Sequence, residues 1–325
     1  MPSTPFLTLA LATTLFLNPA VATYKIVDDY TSNTSDFFSL FNFFTEPDPT
    51  QGFVSYQPYS SAVASKLIGR MPDNSIYIGV DYTTKLSVAF NSPGRASIRI
   101  EGKKSYNWGL MIADIWHMPD STCGNWPAMW LLGSGPWPHG GEVDILEGVN
   151  DAVRNVVTLH TGEGCVVDRM EGGGTASESN STSYMTRKSG CGGTAPKGSF
   201  GDEFNKKKGG IWALQVESDA IKIWYFARNS TPRDLSGGKP DPDKWGKPDM
   251  DFRAGGCDIG KAFKKLSIMF NITFCGENAG KTAWSTWTGC QQSTKKTTCE
   301  EFVGATPHAF DQAYFLINNI KLFQK

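Results

Sequence analysis

Runs with strand character recur at short intervals along this chain, and in many of them apolar and polar residues alternate with a period of two. They cover residues 85–91, 96–102, 109–118, 142–149 and 155–161, then 210–218, 221–228, 265–274 and 313–323. β-Branched and aromatic residues dominate them, as on the half-buried face of a strand. The segment "ESDAIKIWYF" reads as a hairpin turning about Asp219 and Ala220. Long runs with the helical period are absent. The pattern predicts an all-β chain of many antiparallel strands, folded as a sandwich or jelly roll. Two polar stretches, 171–193 and 236–249, read as solvated loops. No internal repeat and no linker between two cores is visible, so one domain is expected.

One run breaks its own period. "GGEVDILEGVND", residues 140–151, carries three acids within six positions. On a helix, at about 100° per residue, Glu142 and Asp144 would point ~200° apart, scattering charge around a buried cylinder. On a strand, Glu142 and Asp144 share one face, and Val143 and Ile145 share the other. Glu147 is then out of phase by one residue. A β-bulge at Ile145-Leu146 would return it to the acidic face, and bulges cluster beside active sites.

Composition adds the compartment. Phe6–Leu17 is apolar but too short to span a bilayer, and Ala20-Val21-Ala22 fits a small-x-small cleavage site. Residues 1–22 therefore read as a secretory signal peptide, although its n-region lacks Lys and Arg. The C-terminus lacks the hydrophobic tail of a GPI signal, and the mature protein is expected outside the cell, with no membrane contact. Four sequons, at Asn33, Asn180, Asn229 and Asn271, agree with export as candidate glycosylation sites. Seven cysteines in an exported chain suggest disulfides with one left over. Nearness in sequence favours Cys290–Cys299 and Cys165–Cys191, though connectivity cannot be deduced. A formal net charge of −1 offers nothing to nucleic acid or an anionic membrane. Ten Trp, ten Tyr and twenty Phe in a charge-poor chain instead suit carbohydrate, whose C–H faces stack on aromatic rings.

Two carboxyls flanking a bond are the minimum kit for glycoside hydrolysis: one protonates the leaving oxygen, the other attacks the anomeric carbon or activates water. Glu142 and Glu147 would have Cα atoms ~13 Å apart along a strand. Side chains leaning together across a concave sheet would reach the ~5–5.5 Å that retention requires. Like charges so close cannot all stay ionised, so at least one pKa must rise, as a general acid needs. Spacing alone leaves two alternatives open, a Ca²⁺ site and a solvated acidic face.

The chain resembles glycoside hydrolase family 16 in its bulged, laminarinase-like form, and in particular fungal secreted endo-1,3(4)-β-glucanases. "GEVDILEG" fits the E-x-D-x-x-E signature, and "SPGRASIRI", "WHMPDSTCGNWPAMWLLG", "TLHTGEGC", "CDIG" and "NITFCG" keep it company, over roughly residues 24–323. The resemblance implies a concanavalin A-like β-jelly roll with a concave substrate cleft, a catalytic domain over 23–325, and a retaining double displacement. It implies Glu142 as nucleophile, Glu147 as acid/base and Asp144 as the assisting acid. It also implies sugar contacts from Trp130, Trp137, Arg99 and His160, while His117 reads as structural. After "TFCG", Asn278 stands where relatives often carry Trp, so Trp284 or Trp287 is expected to supply a platform there. No cofactor and no catalytic metal is expected. The resemblance allows a structural calcium on the convex face, which no residue pattern demands.

The reading is a secreted, monomeric, retaining endo-β-glucanase acting on β-1,3- or mixed-linkage β-glucan. A transglycosylase would use the same acids and differ only in how acceptors compete with water. A non-catalytic lectin on the same fold has no need of both glutamates. No G-x-S-x-G elbow supports a serine hydrolase.

Overall fold

The computed structural model describes residues 23–31, 36–89, 92–107, 109–162, 165–170, 175–176, 183–184, 190–236 and 238–325. The leader and the sequons at Asn33 and Asn180 lie outside them.

Two large antiparallel sheets face each other. The first contains, in spatial order, β13 (Thr175–Ala176), β15 (Cys191–Thr194), β11 (Val156–His160), β10 (Glu142–Glu147), β9 (Asn125–Leu132), β19 (Ser267–Phe274), β7 (Arg99–Gly102) and β2 (Phe41–Phe43). The second runs β14 (Ser183–Tyr184), β12 (Val166–Met170), β18 (Met250–Ala254), β17 (Ala220–Ala227), β16 (Gly210–Val216), β8 (Gly109–His117), β20 (Phe315–Gln324), β5 (Ile76–Ile78) and β4 (Ile68–Arg70), with β1 (Lys25–Asp29) paired to β20. A short parallel pair, β3 (Val54–Tyr56) and β6 (Arg95–Ser97), forms a separate two-stranded sheet. The expected jelly-roll sandwich is the fold.

The main core fills the space between the sheets: Val143, Ile145, Leu146, Val157, Leu159, Ile268 and Phe270 from one, Met111, Ala113, Ile115, Trp212 and Leu214 from the other. β8 and β16 read as nearly continuous apolar runs because their second face is covered too. Leu110, Ile112, Ile211 and Ala213 pack there with Trp224, Phe226 and Trp245. Trp245 comes from the polar 236–249 stretch expected to be a solvated loop. It stands edge-on to Trp224 and Phe226, with its indole N–H donating to Asp234 at 2.7 Å.

Several expectations are corrected. Residues 85–89 form no strand; Val88 is 46% exposed, and Leu86 N–H instead meets the Gly304 carbonyl. The hairpin forms as expected, Val216 pairing with Ile221 and Glu217 N–H closing the turn on the Ala220 carbonyl. The disulfides are Cys123–Cys290, Cys165–Cys257 and Cys275–Cys299, neither of the pairs favoured by sequence. Chain reversals bring positions 167 and 92 residues apart within bonding reach, so nearness along the chain misleads. Buried Cys191 takes part in none of the three.

Candidate active site

The register of β10 shows the bulge. Against β9, Asp144 pairs with Trp130 and Leu146 with Met129; against β11, Asp144 pairs with Thr158 and Glu147 with Val156. Val143, Ile145 and Leu146 are all fully buried in the core. Two successive apolar residues thus turn inward, and Glu142, Asp144 and Glu147 share the outward face. A bulge leaves backbone groups without ladder partners, and buried ones must find others. Asn155, itself fully buried, supplies them. Its Oδ1 accepts the Glu147 N–H at 2.8 Å, and its Nδ2 donates to the carbonyls of Ile145 (2.8 Å) and Val156 (3.3 Å). Asn155→Ala is expected to cost about 2–4 kcal/mol in denaturant unfolding, chiefly the penalty of leaving the bulge's Glu147 N–H and Ile145 carbonyl without their partner. The folded fraction should also lose turnover, because Glu147 is no longer held in phase.

The three acids do not titrate alone. Burial, then the charge of Asp144, pushes Glu142 up to about 8, while His160 and the Trp137 indole N–H pull the other way. Asp144, 5% exposed, is raised well above the usual carboxylate range by burial and by Glu147. Burial raises Glu147 as well, opposed by the Trp126 indole and by His160. Protons are therefore shared across the row. Asp144 is the deepest of the three, and a proton on it relieves the repulsion on Glu142.

Around the acids, the expected sugar-contacting residues converge. His160 pairs with Glu142 across the strands and holds Nε2 at 3.4 Å from Asp144 Oδ2 and 3.9 Å from Glu142 Oε1. Gly190, at φ +63°, lets β15 pass this imidazole; a Cβ there would meet His160 Cε1 at 2.7 Å. Trp137 is 51% exposed, lies 5.7 Å from the His160 ring, and donates its indole N–H to Glu142 Oε2 at 2.8 Å. Trp130 is less open; its N–H donates to Asn271 Oδ1 at 2.7 Å, and Arg99 lies 5.3 Å above its ring. Arg99 also stacks 4.3 Å over Phe44 and pairs with Glu101 at 2.9 Å. The row from β10 to β2 is thus one surface of acids, indoles and a guanidinium. His117 is elsewhere, stacked on Tyr314 at 3.9 Å, as its structural reading expects.

The family of XgeA-like, catalytic GH16 domains matches residues 41–323. The chain belongs to glycoside hydrolase family 16. It is 40% identical to an endo-1,3(4)-β-glucanase of Arthroderma benhamiae, over 94% of this chain and 65% of that protein. It is 39% identical to a probable endo-1,3(4)-β-glucanase of Aspergillus clavatus, over 97% of this chain and 49% of that one. The chain spans about half to two thirds of the length of these curated relatives. Among solved structures, laminarinase 16A of Phanerochaete chrysosporium, with β-glucans in donor and acceptor sites, aligns with TM-score 0.83 and 37% identity, covering 93% of this chain and 100% of that chain. An elongating family 16 β-1,3-glucosyltransferase aligns with TM-score 0.83 and 36% identity over the same shares.

Three site residues of this family 16 chain were not singled out by sequence reasoning. Trp126 donates its indole N–H to Glu147 Oε1 at 2.7 Å; the period-two rule, extended from Trp130, would have found it. Asn155 gave no signal, since its work is done on backbone. Asn271 did give a signal, the sequon, but it pointed elsewhere. The residue is 8% exposed in the middle of β19 with its carboxamide bound to Trp130, and a glycan there would fill the face that carries the acids and indoles. Asn229, by contrast, is exposed. Trp284 is 2% exposed and donates to the Lys296 carbonyl, so it is core and supplies no platform; the Trp287 side chain lies outside the described residues.

Glu142, Asp144 and His160 bring one ligand-type atom each within 4.8 Å of one another. Two carboxylates and an imidazole, with Asp144 and His160 buried, are a poor match for Ca²⁺, which takes six to eight oxygens. On the convex face, Asp114 is already paired with Arg228 at 2.6 Å and accepts from Asn318 at 2.8 Å. Among the described residues no cluster of three acidic, His or Cys side chains gathers on that face.

Proposed function

We propose that this chain is a secreted, retaining endo-β-glucanase that cleaves internal β-1,3 or β-1,4 bonds of β-1,3- or mixed-linkage glucan by double displacement. The observation that carries it is the bulge, which aligns Glu142 and Glu147 on one face with Asp144 between them. Ionised Glu142 attacks the anomeric carbon while Glu147 gives its proton to the departing glycosidic oxygen. Glu147, now a carboxylate, takes a proton from water, which attacks the glycosyl-enzyme and frees Glu142. Neutral Asp144 hydrogen-bonds the nucleophile and tempers the charge it carries. Trp130, Trp137, Arg99 and His160 hold the sugars. Export rests on the 1–22 leader and places the mature N-terminus at Thr23. The four glycan sites proposed from sequence reduce to Asn33, Asn180 and Asn229.

Transfer to a second glucan is the alternative favoured by a specific observation, the equal similarity to an elongating glucosyltransferase. The deciding measurement is the product profile on laminarin and on mixed-linkage glucan. Short oligosaccharides with reducing ends rising in step are expected. Products longer than the donor from the earliest times would assign transfer, and no turnover of either polymer would overturn the glucanase reading.

A further inference from the structure

Three indoles line the catalytic face, and they do not send their N–H groups to the same kind of partner. Trp126 donates to Glu147 and Trp137 to Glu142, one indole for each glutamate, whereas Trp130 donates to the neutral Asn271. The two carboxylate contacts also arise independently. Trp126 sits on β9 two residues before Ala128, the partner of Glu147, so it reaches that acid as a diagonal neighbour. Trp137 arrives from the 133–141 loop, beyond the paired part of either strand.

We infer that Trp126 and Trp137 are positioning residues that set the ionisation of the two catalytic glutamates separately, Trp126 acting on the acid/base and Trp137 on the nucleophile. This rests on the roles assigned under the proposed function. The physical reason is that an indole N–H donates and never accepts, and does not titrate in the working range. It therefore favours the ionised carboxylate over the neutral acid, opposing burial. The other titratable groups facing the pair are Asp144 on the same strand and His160 on β11. At the facing positions β9 contributes indoles and Ala128, and β19 contributes Asn271 and Thr273. Stacking on sugar and donating to a carboxylate are separable in these residues, since phenylalanine keeps a ring and loses the donor.

The test is the pH profile of kcat/KM on a β-1,3-gluco-oligosaccharide for Trp126→Phe, Trp137→Phe and Trp130→Phe. Removing a donor from a carboxylate raises its pKa. Trp137→Phe should move the acidic limb up by about 1 pH unit and leave the alkaline limb in place, because Glu142 must ionise to attack. Trp126→Phe should move the alkaline limb up by about 1 pH unit and leave the acidic limb in place, because Glu147 must keep its proton. Trp130→Phe should move neither limb. Should Trp126→Phe melt early, benzothienylalanine at 126 keeps the bicyclic shape and replaces the N–H by sulfur. Carbon-13 titration of the glutamate carboxyls reads the same shifts without substrate, so absence of glucanase turnover would count against the proposed function and not against this inference. Lower kcat/KM with both limbs and both carboxyl titrations unmoved would overturn it and leave the indoles as sugar platforms.

Discussion

Replacing Glu142 by alanine is expected to lower turnover of β-1,3-glucan on the order of 10⁴-fold, as loss of a covalent nucleophile does. Azide should restore activity by entering the space the carboxylate leaves and attacking the same face of the sugar, giving an α-glycosyl azide with inverted configuration. Glu142→Gln should be as inactive and more stable than the parent at neutral pH. Glu142 is raised to about 8 in the folded chain, against 4.5 for the unconstrained acid. The native state therefore binds the proton more tightly than the unfolded state does. That contribution to stability is full below about pH 4.5 and is lost as pH rises through 8. The amide cannot ionise, so its advantage should grow over that window to about 1–3 kcal/mol, less than the shift alone implies because Asp144 shares the proton. Melting curves at pH 5 and pH 8 check it. A stability difference independent of pH would mean that Glu142 is an ordinary ionised surface acid.

The acidic strand β10 was legible because its chemistry and its geometry conflict locally. Three acids in an apolar run fit no helix, and only a strand with one extra residue reconciles Glu147 with Glu142. The strand beside it was not legible. "NWPAMWLL" contains Pro127, and proline argues against a central strand because it cannot donate to the ladder. Pro127 lies one residue past Ala128, whose pairing with Glu147 is the last rung to β10. Its missing N–H thus falls where that ladder has ended. What the sequence did not show at β8 and β16, both read correctly as strands, is why they are apolar on two faces: the cover on the second face includes the distant residues Leu235 and Trp245. Asn271 shows the limit of a local motif. Three residues define a sequon, but a packed sheet decides whether the asparagine meets solvent. The disulfides depend on the same kind of distant information, because Cys123 and Cys290 are 167 residues apart along the chain yet 5.5 Å apart at Cα in the fold.

Replacing Glu147 by alanine should separate the two halves of the reaction. With a polysaccharide the leaving group is a sugar hydroxyl that needs a proton, and loss of the acid should lower kcat/KM by about 10²–10⁴-fold. With an aryl glycoside whose phenolate departs unaided, formation of the glycosyl-enzyme should proceed at nearly the parent rate. Hydrolysis of that intermediate should then be slow, because no base remains to activate water, so a burst of phenolate should precede a slow steady state. Azide needs no deprotonation and should relieve the second step, giving a β-azide with retained configuration. The pH profile carries the same signature. In the parent, burial raises Glu147, so it keeps its proton to higher pH than an exposed glutamate does, and activity is expected to fall as that proton leaves. In Glu147→Ala the alkaline limb should vanish, since no acid is left to titrate. The opposite azide products from Glu142→Ala and Glu147→Ala make the assignment decisive. An α-azide from the Glu147 variant and a β-azide from the Glu142 variant would exchange nucleophile and acid.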